Sequence, residues 1–195
     1  MSQVTKVSEN DPTLHAEWML LALGEARRAL EAGEAPIGSV LIDVRGAVIG
    51  RGHNTMRASG VVTAHAEMNA FAAAARRIVA GEPIILVSTL EPCVMCTGAA
   101  MESGVTTIVF GMRAPADSGI DRVRPPVSRG SSAPRVLGDI AADGSRALFE
   151  QWLAMHRDDA SRDEQRTFIE QLLSLTAADA GSQADGDGAT RVRSG

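Results

Sequence analysis

The two cysteines of this 195-residue chain lie three positions apart, as Cys93 and Cys96 in the segment Glu-Pro-Cys-Val-Met-Cys. A Cys-x-x-Cys pair serves as a redox dithiol, as half of a structural zinc site, or as two ligands of a catalytic zinc. A third metal ligand elsewhere in the chain would distinguish between these functions, and the upstream segment His65-Ala66-Glu67 contains a candidate. The chain must therefore fold so that an imidazole, two thiols and a carboxylate meet at one point.

The donor set formed by His65, Cys93 and Cys96 favours a catalytic zinc. Such an ion takes three protein ligands and keeps a fourth position for water, whereas a closed structural site needs a fourth Cys or His. The chain has no further cysteine, and its other histidines stand outside any paired ligand spacing. We therefore expect one zinc ion per subunit with an open position, where bound water loses a proton near neutral pH.

Glu67 follows His65 by two positions, so it lies near the metal without the geometry needed to replace a ligand. A carboxylate beside water at a metal is suited to general acid–base catalysis. Two alternatives are a thioredoxin-like dithiol and a zinc module without activity. A dithiol is not preceded by His-x-Glu, and a structural site has no use for a non-ligating carboxylate. We predict Glu67 as the catalytic residue.

His-x-Glu followed by Pro-Cys-x-x-Cys is the signature of the zinc deaminases of cytosine and adenine bases. Segments 63–67 and 89–96 resemble those of bacterial tRNA adenosine deaminases, with guanine, fungal-type cytosine and small nucleoside deaminases as wider relatives. The resemblance runs from about Ala16 to about Gly111 and places the chain near the cytidine/deoxycytidylate deaminase superfamily. It implies an α/β fold, a three-layer α-β-α sandwich with a mixed five-stranded sheet, and a homodimer.

Hydrophobic periodicity and turn residues predict five helices and five strands. The predicted helices cover 14–32, 64–80, 93–102, 145–157 and 161–177, and the strands cover 39–44, 47–53, 84–88, 106–110 and 135–140. The near-continuous apolar run 84–88 is typical of a strand buried on both faces. His65 and Glu67 then lie in the first turn of one helix, and Cys93 lies at the start of the next. Free N–H groups there favour thiolates and developing negative charge.

Three further residues are candidates for substrate binding. Asn54 matches an asparagine that hydrogen-bonds the base in the relatives, and an amide offers a base edge both donor and acceptor; it could instead simply end a strand. The backbone N–H of Ala66 is a candidate contact to an exocyclic oxygen. Asp117 falls near an aspartate with which guanine deaminases engage the substrate amine, although a turn-forming Asp before Ser-Gly explains it equally well.

Charge bears on the choice of substrate. The net charge is −5, Lys6 is the only lysine, and beyond Gly111 the sequence departs from the tRNA deaminase pattern. These features favour a small-molecule nucleobase or nucleoside, because nucleic-acid binders usually have a basic face. The close match around 89–96 favours the wobble adenosine of tRNA instead. Arginines between 113 and 135 would form an RNA surface, but acidic neighbours make a solvated loop the preferred explanation.

The length fits one domain with terminal extensions. We predict a flexible N-terminus over 1–12, a zinc deaminase domain over 13–177 and a disordered tail over 178–195. Residues 119–144 are rich in Pro, Gly and Ser, and a long loop of this kind is often a lid or a binding loop. No apolar run approaches a membrane span. With both cysteines held by a metal, none remains for disulfides, so we expect a cytoplasmic protein.

Overall fold

The computed structural model describes residues 11–127 and 132–183, with side chains as far as residue 175. The predicted flexible segment therefore lies outside the described residues up to position 10, and the predicted tail does so from 184 onward. The domain boundaries at 13 and 177 stay a prediction. None of the described helices combines the length and the apolar composition that crossing a membrane requires.

One mixed sheet of five strands forms the centre of the fold, in the order β2-β1-β3-β4-β5. The strands are β1 (Gly38–Ile42), β2 (Val48–His53), β3 (Ile84–Leu90), β4 (Val105–Met112) and β5 (Arg135–Leu137). β1 is antiparallel to both of its neighbours, whereas β3, β4 and β5 run parallel to one another. Every residue of β3 is buried, as its apolar run predicts.

Six α-helices occur among the described residues. They are α1 (Pro12–Glu31), α2 (Met56–Ser59), α3 (Ala66–Ala74), α4 (Val94–Glu102), α5 (Ala142–Met155) and α6 (Asp163–Gln183). α1 begins where Asp11 accepts a hydrogen bond from the Thr13 N–H at 2.9 Å, and Pro12 occupies the first turn. A side-chain acceptor and a proline at this position are typical of helix starts.

The helices cover both faces of the sheet. Neighbouring residues of a strand point to opposite sides, so one strand contributes side chains to the core on each face. On β1, Val40 and Ile42 join an apolar cluster with α1, α5 and α6, while Leu41 joins a second cluster with α3 and α4. The first cluster contains the large side chains Phe149 and Trp152, both fully buried. The predicted three-layer α-β-α sandwich is confirmed.

Several predicted boundaries were wrong. The helix predicted over 64–80 ends at Ala74, because Ala75 has φ of +37° and a short 3-10 turn, Ala75–Arg77, follows. The last strand covers 135–137 and not 135–140. α6 continues to Gln183, six residues past the predicted helix end at 177. The alanines at 177, 178 and 180 explain this, since Ala has the highest helix propensity.

β2 approaches α3 so closely that glycine is required at the contact. A Cβ on Gly52 would lie 2.3 Å from the Ala66 carbonyl oxygen and 2.4 Å from the Ala70 nitrogen. Both atoms belong to helix backbone, which cannot move aside as the end of a flexible side chain can. Gly52 thus sets the distance between the strand that leads to Asn54 and the helix that begins beside His65.

We expect Gly52→Ala to lower the melting temperature by about 2–12 °C, because overpacking a tight contact costs about 1–3 kcal/mol. Gly98→Ala in α4 is the matched control, since a Cβ there meets no atom within 4 Å. It should stabilise the helix by about 0.5–1 kcal/mol. Thermal unfolding followed by circular dichroism measures both, and equal melting temperatures for the two variants would contradict the packing argument.

Candidate active site

The starts of α3 and α4 bring the three predicted metal donors together. His65 and Cys93 are the residues immediately before these helices, and both have extended backbone conformations. His65 Nδ1 lies 3.6 Å from Cys93 Sγ and 3.6 Å from Cys96 Sγ. One ligand atom from each residue lies within 4.8 Å of the others. The fold therefore joins two motifs that are separated in sequence by the whole of α3 and β3.

The spacing of these atoms fits a zinc ion. Bond lengths of about 2.3 Å to sulfur and about 2.1 Å to nitrogen in a tetrahedral site separate neighbouring donors by about 3.6 Å. One imidazole and two thiols are also the soft donors that zinc prefers. The group of His65, Cys93 and Cys96 can hold one zinc ion, as predicted from the sequence.

Contacts among the three donors favour the thiolate form of Cys93, which is the form that binds a cation. The neighbouring Cys96 thiol and the His65 imidazole stabilise the Cys93 thiolate and lower the pKa of Cys93 to about 4. The same interaction with Cys93, together with burial, raises the pKa of Cys96. The hydrogen bond to Cys93 raises the pKa of His65. A bound divalent ion deprotonates coordinating thiols, so it would replace this shared-proton arrangement with two thiolates.

Glu67 lies directly beside the metal donors and is 3% exposed. Its Oε1 accepts a hydrogen bond from Ser88 Oγ at 3.2 Å, and its Oε2 lies 3.4 Å from Cys96 Sγ. Burial raises the pKa of Glu67 above its ordinary value. A carboxyl group whose pKa moves toward neutrality can both accept and release a proton near pH 7.

A cavity of about 340 Å³ opens onto this cluster. Its lining comes from six parts of the chain: the segment between α1 and β1, the segment after β2, the two motif segments, the segment after β4, and α6. The residues are Ala35, Ile37, Asn54, Met56, His65, Glu67, Leu90, Glu91, Cys93, Ala114, Asp117, Glu164, Gln165 and Phe168. The volume is that of a small-molecule site, toward the lower end of the usual range.

The candidate substrate-binding residues occupy different positions. Asn54 is 3% exposed and lines the cavity, and no described residue forms a hydrogen bond with its side-chain amide. Asp117 also lines the cavity but is exposed. Ala66 is fully buried in the first turn of α3 and does not itself line the cavity. Its N–H lies in the turn where helices have no internal acceptor.

Two buried polar contacts hold the Asn54 segment, and neither was predicted. Glu34 is 1% exposed and accepts hydrogen bonds from the backbone N–H of Ala58 at 2.6 Å and of Arg57 at 3.3 Å. A carboxylate at these N–H groups stabilises the start of α2. Asn69 donates from Nδ2 to the His53 carbonyl oxygen at 2.8 Å, which ties α3 to the end of β2. The only sequence signal for Glu34 is that it is an acidic residue in an otherwise apolar turn.

Glu91 fixes the segment that carries Asp117. Its Oε2 accepts a hydrogen bond from the Ala114 N–H at 2.9 Å, and its Oε1 accepts one from Ser118 Oγ at 2.7 Å. The Gly119 N–H donates to the Pro92 carbonyl oxygen at 2.9 Å. The carboxylate next to the cysteine motif therefore sets the position of the far side of the cavity.

The contribution of α6 was also missed. The sequence predicted a helix over 161–177, but nothing in it indicated that Glu164, Gln165 and Phe168 line the cavity. Helical spacing shows which residues share a face, and it does not show which part of the fold that face meets.

The sequence matches the family described as the cytidine and deoxycytidylate deaminase zinc-binding region over residues 6–112. A tRNA-specific adenosine deaminase of Bacillus subtilis is 42% identical over 96 residues, which are 48% of this chain and 59% of that protein. The tRNA(Ile)-lysidine synthase of Deinococcus radiodurans is 45% identical over 109 residues, 54% of this chain and 18% of that protein. The chain spans less than two thirds of the length of these curated relatives.

Solved structures show the same likeness. A structure from work on A-to-I editing by tRNA:A34 deaminases is 33% identical with a TM-score of 0.58, covering 68% of this chain and 98% of that one. A guanine deaminase of Nitrosomonas europaea is 24% identical with a TM-score of 0.61, covering 71% and 84%. The second likeness concerns the fold alone. The resemblance drawn from the two motif segments is confirmed.

We expect the purified chain to hold about one zinc ion and Cys96→Ala to lose it, because two remaining donors do not retain the metal. Glu67→Gln is the control, since it changes the neighbouring carboxylate and leaves all three donors. Elemental analysis after exhaustive dialysis measures the stoichiometry. A full zinc complement in Cys96→Ala would contradict the assignment of this donor set.

Proposed function

Because the chain belongs to the cytidine and deoxycytidylate deaminase zinc-binding family, we propose that it hydrolytically deaminates an amino-substituted purine or pyrimidine ring. Water adds to the ring carbon that carries the amine, the bond from that carbon to nitrogen breaks, and ammonia leaves. The observation that supports this most is the buried carboxylate of Glu67. It contacts Cys96, one of the three candidate metal donors, and a cavity opens onto this cluster.

The chain's own residues would divide the work between metal binding and proton transfer. Zinc held by His65, Cys93 and Cys96 supplies, when bound, an activated water at its open position. Glu67 accepts one proton of the attacking water at its carboxylate and delivers it to a ring nitrogen. It then takes the remaining proton of the added hydroxyl and passes it to the departing amine. Its raised pKa favours this sequence, because the acid holds the proton between the two transfers. Ser88 orients the carboxylate through Oε1.

We propose that three protein groups bind the substrate ring. The Asn54 amide has no described protein partner, so its donor and acceptor are available to a base edge. The Ala66 N–H is a candidate donor to an exocyclic oxygen, as a free group of a helix start. Asp117 offers a carboxylate to an exocyclic amine at the exposed part of the cavity.

Two substrate sources are compatible with this chemistry. The small-molecule nucleobase or nucleoside is favoured by the size of the cavity. The wobble adenosine of tRNA is favoured by the curated relatives, several of which are tRNA-specific adenosine deaminases. A zinc-binding module without catalysis is the third possibility, and the contact between Glu67 and the metal donors argues against it. The homodimer and the cytoplasmic location stay predictions.

We expect ammonia release from at least one member of a panel of cytosine, guanine, adenosine, cytidine and a tRNA anticodon stem-loop. Glu67→Gln should lower kcat/KM by about 10²–10⁴, because it removes the proton carrier. Zinc content should stay at the wild-type level. A Glu67→Gln variant with activity within tenfold of wild type would overturn the proposed role, and a zinc-loaded wild type that releases no ammonia would favour the non-catalytic module.

Asn54→Ala should lower kcat/KM by about 10- to 100-fold, since a lost hydrogen bond to a buried polar ligand costs about 1–3 kcal/mol. Asn54→Asp separates the two halves of the amide, because the carboxylate keeps an acceptor and loses the donor. Steady-state kinetics on the best substrate of the panel measure both changes. Unchanged kcat/KM in Asn54→Ala would exclude the base contact.

A further inference from the structure

We propose that Glu164, Gln165 and Phe168 of α6 form a specificity wall, which restricts the site to amino-substituted bases or nucleosides that carry no phosphate. This inference rests on the proposed deaminase function and names its substrate class. The three residues line the same cavity as His65 and Glu67. They lie beyond Met112, where the match to the family ends.

α6 is an integral part of the fold. Ile169 is fully buried and Leu172 is 4% exposed, and both join the apolar cluster that contains Phe149 and Trp152 of α5. Phe168 is partly buried and packs against the same cluster. A helix held by several buried apolar side chains keeps its cavity-lining residues in fixed positions.

The start of α6 is tied to the elements around the cavity. Arg162 donates from Nη1 to the carbonyl oxygen of Gly33, at the end of α1, and to Gln165 Oε1 at 3.0 Å. Arg57 of α2 donates from Nη1 to the Ser161 carbonyl oxygen at 3.3 Å. These contacts link the wall to α2, the helix that directly follows Asn54. The wall and the proposed base-binding segment thus belong to one connected structure.

The charges around the cavity disfavour phosphate. No lysine or arginine is among the described residues that line the cavity. Four carboxylates line it, namely those of Glu67, Glu91, Asp117 and Glu164. Two of them, Asp117 and Glu164, are exposed and therefore lie where the cavity meets solvent. Recognition of a nucleotide or of an RNA strand depends on Lys and Arg contacts to phosphates. A phosphate at this mouth would meet carboxylates instead.

Three arginines on α2 and around the start of α6 already form hydrogen bonds. Arg162 and Arg57 bond to backbone carbonyl oxygens as described above, and Arg166 donates to the carbonyl oxygens of His156 and Arg157, both at 3.1 Å. Arg166 also pairs with the Asp163 carboxylate. Using these side chains for phosphate binding would require α6 to give up the contacts that hold its start.

The wall offers groups that suit a neutral heterocycle. Phe168 provides an aromatic face on which a ring can stack, and Glu164 one helical turn earlier provides an acceptor for an exocyclic amine. Gln165 Oε1 is taken by Arg162, which leaves its amide N–H groups as donors for a ligand. Together they distinguish a free amino-substituted ring from one attached to a phosphodiester chain.

The test uses the full zinc-loaded chain with adenine, guanine, cytosine, adenosine and cytidine, and with adenosine and cytidine 5′-monophosphates and an anticodon stem-loop. Dissociation constants come from equilibrium dialysis, and kcat/KM comes from ammonia release. We expect wild type to bind at least one base or nucleoside at least tenfold more tightly than any monophosphate or the stem-loop. Phe168→Ala should weaken that binding at least tenfold, and Glu164→Lys should reduce the discrimination against monophosphates at least fivefold.

Glu170→Lys is the matched control, because Glu170 lies on the same helix, is exposed and does not line the cavity. It should leave affinity and discrimination within twofold of wild type. Phe168→Leu keeps an apolar side chain and replaces Phe168→Ala if that variant does not fold. Zinc content and melting temperature verify each variant.

The outcomes separate this inference from the proposed function. Tight binding of a base or nucleoside that depends on Phe168 and Glu164, without ammonia release, would remove the deaminase function and keep the wall. Ammonia release with unchanged affinity and discrimination in both variants would overturn the wall alone. Preference of wild type for a monophosphate or the stem-loop, or no binding of any base or nucleoside, would also overturn it.

Discussion

The meeting of two helix starts beside β3 is the constraint on which the rest of this structure depends. His65 and Cys93 each end an extended segment and begin a helix, and Cys96 follows one turn later on α4. His65 Nδ1 comes within 3.6 Å of both sulfurs only because α3 and α4 pack on the same face of the sheet. The close approach of β2 to α3 at Gly52 then brings Asn54 to the same point.

Three carboxylates, two buried and one half-buried, have different roles around this point. Glu34 and Glu91 accept backbone N–H hydrogen bonds and so fix α2 and the segment before Asp117. Buried charge is costly unless it is hydrogen-bonded, and these two acids are. Glu67 instead contacts the Ser88 hydroxyl and the Cys96 sulfur beside the metal donors, and burial raises its pKa. The same residue type thus provides a rigid frame at two positions and, in the proposed function, a proton carrier at the third.

Sequence patterns predicted the elements better than their ends. The apolar run from Ile84 identified a strand buried on both faces, because such a run has no solvent-facing positions. The helix after His65 was predicted too long, since its alanines favour helix on both sides of Ala75, where the backbone turns. Asn54 and Asp117 were predicted to bind substrate, with a strand end and a turn as the respective alternatives, and both line the cavity.

By itself the sequence determined the donor set and its chemistry. Ligand identity and the three-residue spacing of Cys93 and Cys96 are local properties, as is the carboxylate two positions after His65. Only the tertiary structure decided what surrounds that centre. Glu164 and Phe168 reach the cavity through the packing of α6 on α5, and Glu91 acts on residues more than twenty positions away. Such contacts depend on how layers stack, and no local periodicity records that stacking.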